Sequence, residues 1–96
     1  MTELEALTRN YRAALLRYLP RREEVALNRG YELGRGAVTT GVSILDLARI
    51  HHEILLEVLR DTRAEDISAL AAAASEFFVE VLATYDMTQR GLLERR

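Results

Sequence analysis

The stretch from Glu76 to Gly91 constrains this chain more than any other. From Ile67 the residues Ala71, Ala74, Phe78, Val81, Tyr85, Thr88 and Leu92 recur at alternating spacings of four and three. That is the period of an α-helix whose apolar seam packs against other helices. Leu70, Phe77 and Leu82 form a second stripe beside the first, so the helix needs neighbours on two sides. The spacing predicts a scaffold helix in a bundle, with Ala74, Phe78, Val81 and Tyr85 as its core or dimer seam. Ninety-six residues make one domain, which buries only a modest share of its surface, so a second copy would supply the missing cover. A homodimer is therefore expected.

The rest of the chain reads as all-α. It has one proline, five glycines and no strand-like alternation. Thr2 and Glu5 have the spacing of a capping box, and Leu4, Leu7, Tyr11, Ala14/Leu15 and Tyr18 follow at helical intervals. Pro20 ends that helix, because its ring removes a donor and clashes with the preceding turn. A second helix is expected from about Arg22, with Glu23 and Glu24 at the positive end of its dipole and Leu27, Tyr31, Gly34 and Val38 on one side. Gly41 is its natural stop. Gly30, Gly34 and Gly36 inside it each cost about 1 kcal/mol relative to alanine. Gly30 and Gly34 share a face, which fits either close approach of another helix or a kink. Ser43 with Asp46 starts a third helix carrying Ile44, Leu47, Ala48, His51, Ile54/Leu55 and Val58. Asp61 and Thr62 with Glu65 lead into the fourth. Short connections favour antiparallel neighbours, giving a compact antiparallel four-helix domain over residues 1–96. Leu92 to Arg96 carry no helix stop, as expected for the front part of a longer signalling protein.

Composition narrows the chemistry. A net charge of −2 gives no electrostatic case for nucleic acid or an anionic membrane. All thirteen basic residues are arginine, which a GC-rich genome explains. With no cysteine there is no thiol nucleophile and no zinc–thiolate site. No apolar run is long enough to span a bilayer, and the N-terminus lacks a signal-peptide core, so a cytoplasmic protein is expected. No cofactor and no metal site are expected.

His51-His52-Glu53 is the one stretch that suggests catalysis. An acid directly after a phosphoaccepting histidine can orient its imidazole, and His52-Glu53 has that form. The proline that usually follows is absent: Ile54, Leu55, Leu56, Glu57 and Val58 stand there instead. Adjacent histidines on a helix point about 100° apart and cannot hold one ion together. His51 falls on the apolar face and should be buried, with His52 more exposed. Ser43 serves as a cap rather than a nucleophile, and the glycines of Gly30 to Gly36 follow no strand, which argues against a phosphate loop.

The order of these residues resembles the N-terminal domain family of the stress-response phosphatase RsbU, relatives of which also stand at the front of bacterial sensor kinases. The resemblance rests on Tyr11, Leu15 and Arg17-Tyr18, then Glu24, Leu27 and Arg35, then Ile50-His51 and Leu55. Phe77, Glu80-Val81, Tyr85 and Met87 continue it, while Arg90-Gly91 is more like the sensor-kinase relatives. The resemblance implies a non-catalytic, homodimeric domain that recruits a switch kinase, the RsbT-like partner. That partner controls an attached or associated phosphatase or kinase. It also implies a partner surface on the second and fourth helices, at Glu24, Asn28, Val79 and Ala83. Asn28 and Ala83 replace larger apolar or aromatic residues of the family. A histidine phosphotransfer or dimerisation domain using His52 is the alternative.

Overall fold

The computed structural model describes residues 1–94, and Arg95 and Arg96 lie outside the described residues. Four helices follow one another: α1 (Glu3–Tyr18), α2 (Glu24–Thr39), α3 (Ile44–Arg60) and α4 (Ile67–Glu94). A single 3-10 turn, Ala64–Asp66, leads into α4. The described residues contain no strand, and the helices pack as a four-helix bundle.

The helix ends have local causes. The Thr2 hydroxyl accepts from the Glu5 backbone N–H at 3.1 Å, and Ser43 caps α3 in the same way through Asp46. Each satisfies a donor that a helix N-terminus leaves free. Glu23 is the N-cap residue of α2, so only Glu24 stands in its first turn. The α2–α3 turn passes through Gly41 at φ 79°, where a side chain would be strained. Val42 then donates to the Ala37 carbonyl at 2.9 Å and accepts from the Tyr85 hydroxyl at 2.9 Å. That short loop is thereby fixed to α4.

Gly30 and Gly34 are sites of close approach. A Cβ at Gly30 would sit 3.1 Å from the Phe77 ring, and one at Gly34 would overlap the Val81 carbonyl and the Thr84 hydroxyl. The face of α2 that is buried is therefore the small one: Ala26, Gly30, Gly34 and Ala37. Leu27 and Val38 flank it half-buried, and Tyr31 is exposed, so the side predicted from the larger residues lies at the margin of the core. A helix of small residues buries its backbone, and this makes α2–α4 the most extensive contact in the protein.

Pairing Gly30 with Phe77, Gly34 with Val81 and Thr84, and Val42 with Tyr85 shows that α2 and α4 run in the same direction. Consecutive helices alternate in direction, but the principal neighbour of α2 is α4 rather than α3. Connection length predicted neighbours by chain order, and backbone access decided otherwise.

On α4 the buried residues are Ala73, Ala74, Phe77, Val81, Thr84 and Tyr85. Phe77 is fully buried, whereas Phe78 is half-buried against α3. The inward face is thus rotated from the predicted seam: Phe77, from the second stripe, fills the core, while Ile67 and Leu92 are exposed. At 28 residues α4 is about 42 Å long, and the longest dimension of the protein is 50 Å. By length and composition it could cross a membrane, contrary to the sequence expectation, because its alanine-rich stretch is long and apolar enough despite Glu76 and Glu80. Its inward side is nevertheless the central wall of a bundle, packed on α2 through Phe77, Val81 and Thr84.

The three α2 glycines should respond differently to alanine. Gly34→Ala forces two backbones apart and should lower stability by about 1–3 kcal/mol. Gly30→Ala meets only a side chain and should cost less. Gly36 has open space around it, so Gly36→Ala should stabilise by about 0.5–1 kcal/mol. Urea melts of the three variants test this order, and a neutral Gly34→Ala would refute the close contact.

Candidate interaction surface

The aromatic core sets the orientation of α3 and α4. Tyr11 is fully buried and meets Phe77 edge to face, with ring centroids 5.4 Å apart. Its hydroxyl lies 2.7 Å from His51 Nδ1. Burial raises the Tyr11 pKa, so the phenol keeps its proton and donates it to the imidazole. The ring proton of neutral His51 then sits on Nε2, an assignment made from the hydrogen bond. His51 also stacks on Phe78, with centroids 4.1 Å apart and planes 8° apart. Burial, with a smaller contribution from His52, pushes the His51 pKa down to about 4.

His51 is thus a neutral core residue, as its position on the apolar face predicts. His52 is exposed, and no hydrogen bond joins it to Glu53 among the described residues. No three histidine or acidic side chains converge as metal ligands there.

The four residues assigned to a partner surface stand on the two helices that pack closest. Glu24 and Asn28 are exposed one turn apart at the start of α2. Val79 and Ala83 are exposed one turn apart in the middle of α4, with Val79 60% accessible. Of the seam residues, Ala74, Val81 and Tyr85 are buried inside the protomer, and Phe78 keeps part of its ring at the surface.

Tyr18 locates where the two helices meet. Its pKa is raised by burial and then by Glu76, with smaller contributions from Glu24 and Glu80 and opposition from Arg22. The Arg22–Glu76 ion pair brings the turn that precedes α2 against α4 at Glu76, three positions before Val79. Arg22 holds this corner. Its backbone adopts φ 53°, a left-handed conformation that costs a non-glycine residue about 1 kcal/mol. Its N–H bonds the Tyr18 carbonyl at 2.8 Å, and its guanidinium pairs with Glu76 at 2.8 Å.

Two exposed residues beside this surface escape the sequence assignment. Met87 lies one turn beyond Ala83, and Tyr31 lies one turn beyond Asn28. Helical spacing puts Tyr31 on the apolar side of α2, because spacing does not register that the glycines form the packed face.

A parallel glycine-mediated helix pair, a buried aromatic core and apolar side chains left outside define a small helical-bundle domain. Residues 9–88 match the family described as the N-terminal domain of the phosphoserine phosphatase RsbU. The chain belongs to that family and is a regulatory domain of the RsbU phosphatase type, distinct from the catalytic domain. No curated protein matches the chain, and no solved structure does.

The His51 environment gives a pH dependence of defined sign. Its folded pKa lies below the unfolded value of 6.5, so the unfolded chain binds more protons between the two. The stabilisation is complete above about pH 6.5 and is lost as pH falls toward 4. His51→Gln should remove this component, on the order of 2–3 kcal/mol. Urea melts from pH 7 to 4.5 should show the stability gap between wild type and variant closing on acidification. A constant gap would show that His51 is not held neutral by the fold.

Proposed function

We propose that the domain is a non-catalytic, homodimeric signalling module that recruits a switch kinase of the RsbT kind through Glu24, Asn28, Val79 and Ala83. On this reading, it controls an attached or associated phosphatase or kinase in a bacterial stress response, in the cytoplasm. The observation that carries the reading is Val79, a β-branched apolar residue left 60% accessible in the middle of α4, the helix that packs most extensively on α2. Desolvating such a side chain against a partner contributes roughly 1–2 kcal/mol. Glu24 supplies a charged rim and Asn28 a hydrogen-bonding group. Ala83 is small and exposed, which would leave room for a larger partner side chain.

Dimerisation uses a different part of α4. With Ala74, Val81 and Tyr85 consumed by the protomer core, the surface that remains runs through Ala71, Ser75, Phe78 and Leu82. These are spaced four, three and four, the repeat of a helix-to-helix seam. Ala71 and Ser75 are small enough for a second helix to approach there, and Phe78 and Leu82 supply the apolar contact.

Two measurements test the proposal. Light scattering should give about twice the 10.9 kDa chain mass, and a monomer at micromolar concentration would count against the dimer. Val79→Asp should weaken binding of the switch kinase at least about tenfold, equivalent to 1.4 kcal/mol, with melting temperature and mass unchanged. Unchanged affinity in both Val79→Asp and Ala83→Arg would sink the assignment of this face.

A further inference from the structure

The side of α2 that borders α1 carries a feature that the recruitment surface does not use. Between α1 and α2 lies an open groove of about 500 Å³, with Ala13, Ala14 and Leu33 as its floor. Asn10 and Arg17 line it from α1, and Arg29 and Glu32 from α2. A second depression of about 540 Å³ shares Arg17 and extends toward Arg21 and the exposed Val25. Arg21 pairs loosely with Glu23 at 3.7 Å, whereas Arg17 and Arg29 make no ion pair among the described residues. Glu32 is the one carboxylate in the main groove, against two free guanidinium groups.

Gly36 is the independent observation. It continues the Arg29–Leu33 side of α2 by one further turn, and a Cβ there would meet nothing within 4 Å. Unlike Gly30 and Gly34 it meets no other helix, although it lies within the last turn of α2, where a glycine still costs stability relative to alanine. A side chain added there would project on the same side of α2 as Arg29 and Leu33, just beyond the residues that line the groove.

We propose that the α1–α2 groove is a second docking site, and that its occupant is an acidic amphipathic helix of a partner protein. From Asn10 to Arg17 the groove runs about 10 Å, two turns of a helix. Small floor residues let a third helix approach both backbones closely. Arg17 and Arg29 stand on opposite rims, where they can each take a carboxylate from the flanks of that helix. A small anion would satisfy the arginines but leave the alanine and leucine floor uncovered, so the groove as a whole fits a protein segment.

The test uses the whole chain and a synthetic two-to-four-turn helical peptide with leucine and alanine on one face and glutamates on its flanks. Addition of the peptide to isotopically labelled protein should shift the backbone amides of Ala13, Arg17, Leu33 and Gly36. The same peptide with glutamine for glutamate should bind at least tenfold more weakly. R17E/R29E should abolish the shifts without changing the fold or the solution mass. Gly36→Leu should weaken binding while leaving thermal stability equal or higher, which a merely structural role for Gly36 would not produce. No amide shifts at millimolar peptide, equal binding of the glutamine peptide, or equal shifts with inorganic phosphate alone would each overturn the proposal. A change in solution mass on R17E/R29E would make the groove a contact between copies of this chain and would overturn it as well.

Discussion

The approach of α2 to α4 through Gly30 and Gly34 is the contact on which the remaining geometry depends. At Gly34 the α2 backbone lies against the Val81 carbonyl and the Thr84 hydroxyl, with no room for a methyl group between them. Dispersion falls off steeply with distance, so a helix pair this close gains contact along its whole length. The arrangement fixes Phe77 and Val81 inward, and with them the rotation of all 28 residues of α4. Tyr11, Tyr18 and His51 then arrange themselves around a Phe77 whose position is already set.

The polar content of that core is small and fully used. Tyr11 donates to His51, Tyr85 to the Val42 carbonyl and Thr84 to the Val81 carbonyl. Among the described residues no buried side-chain polar atom lacks a partner. Such bonds contribute modestly to net stability but are expensive to break one side at a time. They therefore specify how α1 meets α3 and how the α2–α3 loop attaches to α4 more than they add to total stability. The ion pairs Arg12–Glu57 and Arg22–Glu76 are half-exposed and act at the margins of the bundle.

A helix so long, with one side given to the bundle, leaves apolar surface in several directions. Val79 and Met87 stand on one flank, and Phe78 and Leu82 on another. The flanks are separated around the helix, so the two contacts proposed for α4 would not compete for the same residues. α2 divides its surface similarly. Its glycine face is spent on α4, its N-terminal side offers Glu24 and Asn28, and its remaining side borders the arginine-lined groove with α1.

Much of this was legible from local chemistry. Thr2 and Ser43 as caps, Pro20 and Gly41 as stops, four helices and a buried His51 beside an exposed His52 follow from neighbours within one or two turns. The order of residues also sufficed to identify the family, as a resemblance carried by residues throughout the chain. The family resemblance put Glu24 on the second helix and Val79 on the fourth, but that these two helices adjoin came from the structure. What the sequence could not decide was which of two plausible faces a helix turns inward. Helical periodicity ranks faces by the size of their apolar side chains, and on that measure Tyr31 outweighs Gly30 and Phe78 equals Phe77. The tertiary structure ranked them by how closely two backbones can approach, a property of pairs of helices. That criterion buried the glycines, exposed Tyr31, turned Phe77 into the core and made the parallel α4 the principal neighbour of α2.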